Sequence, residues 1–142
     1  MIKKLKVCLI ILLFGMISCT NTCVTHGIEV SELLNSVSEE KSINYCSLLD
    51  SSLNKDSESI KKISLLDFSD AAGYDHGAVL VELILNIGED HYLQSIQTIN
   101  SKQKKMILSY LEVGLEYGNN PAIKSKNVNN VFPKVYEYLT EN

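Results

Sequence analysis

From residue 28 onward the apolar positions recur three and four residues apart, and no run of strand-like alternation interrupts them. This spacing predicts an all-α domain. A first short helix is placed over 28–37 and a second over 39–53, where Ile43, Cys46, Leu49 and Leu53 form one stripe. Ser36 and Glu39 have the form of a capping box at its start. A third covers 57–66, with Ile60, Ile63 and Leu66 on one face. Asp70 is placed as the cap of a longer helix reaching Ile87, with Gly73 and Gly77 weakening its first turns. Its stripe of Val79, Leu80, Leu83, Ile84 and Ile87 is joined by Val81 and Leu85, so two sides are expected to be covered.

Gly88 reads as the C-terminal cap of that helix, and Glu89 with Asp90 as first-turn acids of the next, which carries Leu93, Ile96 and Ile99. Asn100 and Gln103 have the spacing of a cap pair. The helix they open carries Ile107, Tyr110, Leu111, Gly114 and Tyr117, and Gly118-Asn119-Asn120-Pro121 stops it. A polar loop over 122–130 leads to a last short helix marked by Phe132, Val135, Tyr136 and Leu139.

An offset of 30 residues places Glu82 on Glu112, Leu85 on Leu115 and Gly88 on Gly118, and apolar residues on apolar residues between. Two related antiparallel helix hairpins, 58–88 and 89–118, are implied, with less regular helices around them. The arrangement resembles the stacked hairpins of HEAT-like and TPR-like proteins, although the TPR consensus residues are missing. That resemblance implies a short α-solenoid or irregular bundle with a shared core and one open face.

The first residues follow another logic. Lys3, Lys4 and Lys6 precede an uncharged run over 7–17, the basic and apolar parts of an export signal. A helix of about 11 residues rises about 16 Å, too short to span a bilayer. The following Met16-Ile17-Ser18-Cys19 resembles the lipobox of bacterial lipoproteins, with Met16 where such families usually have Leu. The resemblance covers the first 19 residues and implies cleavage after Ser18, diacylglycerol on Cys19, and an anchor in the bilayer through acyl chains. An ordinary secretory signal and an uncleaved anchor are the alternatives. Residues 19–27 then form the lipidated Cys and a short polar linker, and 28–142 the helical domain.

Charge narrows the partners. All 13 basic residues are Lys, against 17 acids; the ten Lys beyond the signal leave the remainder at −7. Nucleic acid is thereby disfavoured as a partner, a basic protein is favoured, and the absence of Arg removes the bidentate clamp that phosphate recognition prefers. No cofactor or metal is implied. Of four Cys, Cys8 leaves with the signal and Cys19 is blocked by lipid. Cys23 and Cys46 can close a disulfide in an oxidising envelope compartment, or Cys46 is a small buried hydrophobe and Cys23 a free thiol.

The densest polar cluster is Asp67, Asp70, Asp75 and His76 around Gly73-Tyr74 and Gly77. Asp75 and His76 are candidate acid/base or ligand residues, with Glu82 two turns on from Asp75 and on the same side. Against this, adjacent residues diverge on a helix, first-turn acids are ordinary, and His76 borders the apolar stripe. His26 and His91 are scattered, and no His-x-x-x-His spacing occurs. Tyr74, Tyr92, Tyr110, Tyr117, Tyr136 and Tyr138 are core-edge residues or, on an open face, binding residues. The expectation is a lipid-anchored helical module of the bacterial cell envelope that binds another protein. An immunity-type inhibitor of an envelope-targeting toxin is the second reading, and a hydrolase using Asp75, His76 and Glu82 the third.

Overall fold

A computed structural model describes residues 23–141. The expected signal over 1–18 and the expected lipidation site Cys19 lie outside the described residues. A two-stranded antiparallel hairpin, β1 (Cys23–Thr25) and β2 (Ile28–Val30), opens the fold. Eight helices follow among the described residues: α1 (Glu32–Glu40), α2 (Tyr45–Leu53), α3 (Ser57–Ser64), α4 (Asp70–Ile87), α5 (Glu89–Ile96), α6 (Ser101–Tyr117), α7 (Val128–Val131) and α8 (Pro133–Thr140). The fold is all-α apart from the hairpin.

The hairpin corrects the expectation of a polar linker through residue 27 and of a helix from 28. His26 and Gly27 form its two-residue turn, with φ of 49° and 80°. Two consecutive positive φ values are what a type I′ turn requires, and glycine adopts one of them without strain. Ile28 and Val30 are buried and Glu29 is exposed, a period of two too short to stand out against the helical spacing after it. Three ties hold the hairpin to α2. Cys23 and Cys46 are joined by a disulfide, the Thr25 hydroxyl donates to Asp50 at 2.9 Å, and His26 lies 3.6 Å from the same carboxylate. Closing a loop of about 24 residues contributes on the order of 3 kcal/mol.

Helix boundaries differ from expectation at several points, among them α7, which begins inside the expected polar loop 122–130 with Val128 buried. Ser31 caps α1, its hydroxyl accepting from the Leu34 N–H, and α1 stops at Glu40, where the expected second helix was to be under way. Asn44 caps α2 through the Ser47 N–H, so Ser36 and Glu39 lie inside α1 and form no capping box. Ser69, not Asp70, occupies the N-cap of α4; Asp70 is its first residue and has φ of 53°. The Asn100–Gln103 capping box is present in full. Gly88 ends α4 with φ of 86°, a value that favours glycine. Its counterpart at the 30-residue offset, Gly118, has φ of −63° and carries no such demand.

Packing runs in two layers. α2 lies on α3 and α3 on α5, while α4 is flanked by α1 and α6. α4 is central: Leu80, Leu83 and Ile84 are buried on its core stripe, and Val81 is buried as well. Leu85, expected to join Val81 on a covered second face, is 41 % exposed. The backbones of α4 and α6 approach each other closely. An ideal Cβ on Gly77 would overlap the Tyr110 carbonyl oxygen, and one on Gly114 would overlap the Gly77 carbonyl. Gly77 therefore does not loosen α4 as its intrinsic propensity suggests; it lets two backbones touch. Gly73 instead makes room for the segment leading into α4, since a Cβ there would stand 2.9 Å from the Phe68 carbonyl oxygen.

Replacing Gly114 by Ala must push α6 away from α4. An overpacking cost of about 3 kcal/mol is expected, read as a lower urea midpoint at unchanged slope. A midpoint equal to that of the parent chain would contradict the close backbone contact.

Candidate functional site

Three consecutive residues of α4 lead to three surroundings. Tyr74 is exposed, Asp75 faces a surface cleft, and His76 enters the core. This is the ordinary divergence of neighbours on a regular helix, about 100° apart. Glu82, seven residues from Asp75, returns to the cleft side about 10 Å further along the axis. Asp75, His76 and Glu82 thus do not converge. Among the described residues, no three His, Cys, Asp or Glu side chains are grouped closely enough to hold a metal ion.

His76 is fully buried among aromatic rings. Its Nδ1 lies 2.7 Å from the Tyr45 hydroxyl, and its ring meets those of Phe68 and Tyr110 edge to face at 5.1 and 4.8 Å. Nε2 has no hydrogen-bond partner among the described residues. Removal from water penalises the imidazolium and holds the His76 pKa down to about 3. The same burial pushes Tyr45 well above its ordinary value, so the pair is a neutral one at physiological pH. The Tyr110 hydroxyl closes the cage: it accepts from the Phe68 N–H at 2.8 Å and lies 3.0 Å from the Phe68 carbonyl. Of these partners, Tyr45 and Phe68 were not singled out in the sequence, because nothing local places them beside residue 76.

The cleft, about 570 Å³, lies between the hairpin, α4, α6 and the loop after α6. Its floor is built from small residues, Ala78, Gly114 and Gly118, so the glycines that admit the α4–α6 contact also open the surface above it. Glu29, Asp75 and Glu82 supply its carboxylates. The Ser31 hydroxyl donates to Asp75, coupling the cap of α1 to α4, and the Asn120 amide donates to Glu82 at 3.1 Å. One turn before Ala78 and one residue before Gly118, Tyr74 and Tyr117 stack at 4.9 Å with an interplanar angle of 20°. They are 46 and 60 % exposed. Of the other tyrosines, Tyr110 is buried, Tyr138 is half-buried with its hydroxyl donating to the Ile96 carbonyl, and Tyr136 is exposed; Tyr92 is no core-edge residue but fully buried, its hydroxyl without a partner among the described residues.

Comparison of the chain with protein-family models, with curated proteins and with solved structures finds no match. No helix among the described residues is long and apolar enough to cross a membrane. α4, the longest, carries Asp70, Asp75 and Glu82.

Burial of His76 has a consequence for pH. Between pH 3 and 6.5 the unfolded chain takes up a proton at residue 76 that the folded chain refuses. Stability from this source is complete above pH 6.5 and is lost as pH falls toward 3. From pH 6.5 to 5 the loss is about 2 kcal/mol. Urea unfolding of a His76→Gln variant is expected to show a flatter pH dependence in that interval by the same amount; an unchanged slope against pH would refute a neutral buried imidazole.

Proposed function

We propose that this chain is a lipid-anchored protein of the bacterial cell envelope whose helical domain binds another protein through the cleft beside α4 and α6. The observation that carries the reading is the exposed Tyr74–Tyr117 stack, whose chain neighbours Asp75 and Gly118 line a concave surface. Two large rings left in water cost free energy that a partner recovers by covering them, and Tyr is enriched among residues that dominate binding energy. The rings are also held in place by each other, so little side-chain entropy remains to be lost on binding. The immunity-type reading draws on the same surface, since a net charge of −7 beyond the signal and an acid-lined concavity suit a basic toxin surface.

The binding site is tested by placing a photo-crosslinking amino acid at Tyr117, in the exposed stack beside the lining residue Gly118, or at Leu33, an exposed apolar residue on α1, in cells producing the full chain. A discrete adduct from position 117 and none from 33 is expected. Adducts from both positions alike, or from neither, would count against the cleft. The anchor is tested by metabolic labelling with an alkyne fatty acid: label is expected on the parent chain and absent from Cys19→Ala, and label persisting in that variant overturns the anchor.

A further inference from the structure

The two strands of the hairpin are held to the domain by different means. Ile28 and Val30 of β2 are buried, so β2 belongs to the core. β1 buries no side chain: Cys23 and Thr25 are half-buried and Val24 is 63 % exposed. Apart from its ladder to β2, β1 and the turn are kept in place by the Cys23–Cys46 disulfide and by the contacts of Thr25 and His26 with the exposed Asp50. A two-stranded ribbon of three-residue strands does not hold by its ladder alone, and polar contacts in water add little. The disulfide therefore decides whether β1 is docked.

That bond is also placed where a thiol can open it. Both cysteines line a surface recess beside Asn35, Glu39 and Ile43, so a thiolate reaches the sulfurs without the core unfolding. Cys46 is the second residue of α2, after the Asn44 cap, where the helix N-terminus stabilises an anionic sulfur. The sulfur that leaves more readily as thiolate is the one released in exchange, which directs attack to Cys23. The first thiolate of a dithiol reductant bonds to the Cys23 sulfur as the Cys23–Cys46 bond breaks. Its second thiolate then displaces Cys23, the reductant departs as a disulfide, and the two cysteines take up the two protons that its thiols gave up.

Release of β1 leaves the His26–Gly27 turn with no second strand to join, and Gly27 lines one end of the cleft. β2 stays, because Ile28 and Val30 are buried and Ser31, next along the chain, caps α1 and donates to Asp75. We propose that Cys23–Cys46 is a redox-operated latch: reduction by a dithiol undocks β1 and the turn and opens the hairpin end of the cleft, while β2 and the helices remain folded. The latch does not require the binding reading above.

Amide exchange of the oxidised full chain in detergent is followed by NMR before and after equilibration with dithiothreitol in the absence of denaturant. The two-residue turn makes Thr25–Ile28 and Cys23–Val30 the hydrogen-bonded pairs of the ladder, so the Ile28 and Val30 amides report its opening. Their exchange is expected to accelerate more than about ten-fold on reduction. The Leu34 amide, bonded to the Ser31 hydroxyl, and the amides of Leu80 in α4 and Leu111 in α6 are expected to keep their rates. Cys23→Ser combined with Cys46→Ser is expected to give the same pattern without reductant. Protection retained at Ile28 and Val30 after reduction, protection lost throughout the domain, or a disulfide that dithiothreitol reduces only when urea is added each overturns the latch.

Discussion

The contact between the backbones of α4 and α6 at Gly77 and Gly114 governs much of what surrounds it. Helices usually pack 8–10 Å apart because side chains intervene. Where both helices carry glycine at the crossing the spacing collapses, and residues that would otherwise be spread through the interface gather around it. Tyr110 lies one turn before Gly114 and His76 one residue before Gly77, so the same approach brings their rings together at 4.8 Å. On the outer side, where Ala78 meets Gly114 and Gly118, the absence of side-chain bulk leaves the cleft. Core cage and surface concavity are two sides of one steric fact.

The hairpin adds a second constraint of a different kind. Three-residue strands are too short to be stable alone, and here they are held by a disulfide, by a hydroxyl–carboxylate hydrogen bond and by burial of Ile28 and Val30. Their position closes one wall of the cleft with Glu29 and carries Ser31 to the start of α1, where one hydroxyl serves as helix cap and as donor to Asp75. Gly27, Ile28, Glu29 and Ser31 are thus part of the cleft wall rather than of a linker. The α4–α6 side of the cleft is held by the glycine contact and the hairpin side by the disulfide.

Much was legible in the residues themselves. The all-α class, the ends of α4 and α6 at Gly88 and Gly118, the Asn100–Gln103 capping box, the core stripe of α4 and, apart from the exposed Tyr117, that of α6 follow from spacing and cap chemistry, which act within a turn or two of sequence. Less local features were misjudged for physical reasons. The hairpin has one turn signal, His26-Gly27, and two strands shorter than the period needed to recognise them. The break between α1 and α2 is made by Ser42, with φ of 59°, a conformation to which no glycine calls attention. Leu85 belongs to an apolar stripe yet stays 41 % exposed, because whether a second face is covered depends on which helices arrive there.

By itself, the sequence determined the helical class, the acidic balance beyond the first residues, and the residue types from which a site can be made, since all of these reside in composition and short-range periodicity. Only the tertiary structure decided how those residues are grouped. It sent His76 into an aromatic cage while Asp75 and Glu82 went to the surface, because neighbouring positions on a helix point apart and only packing says what each direction meets. It turned Gly77 and Gly114, two positions that weaken isolated helices, into a direct contact between two backbones. That reversal has one cause: the cost of glycine is local, and the space it leaves has value only when another backbone comes to fill it.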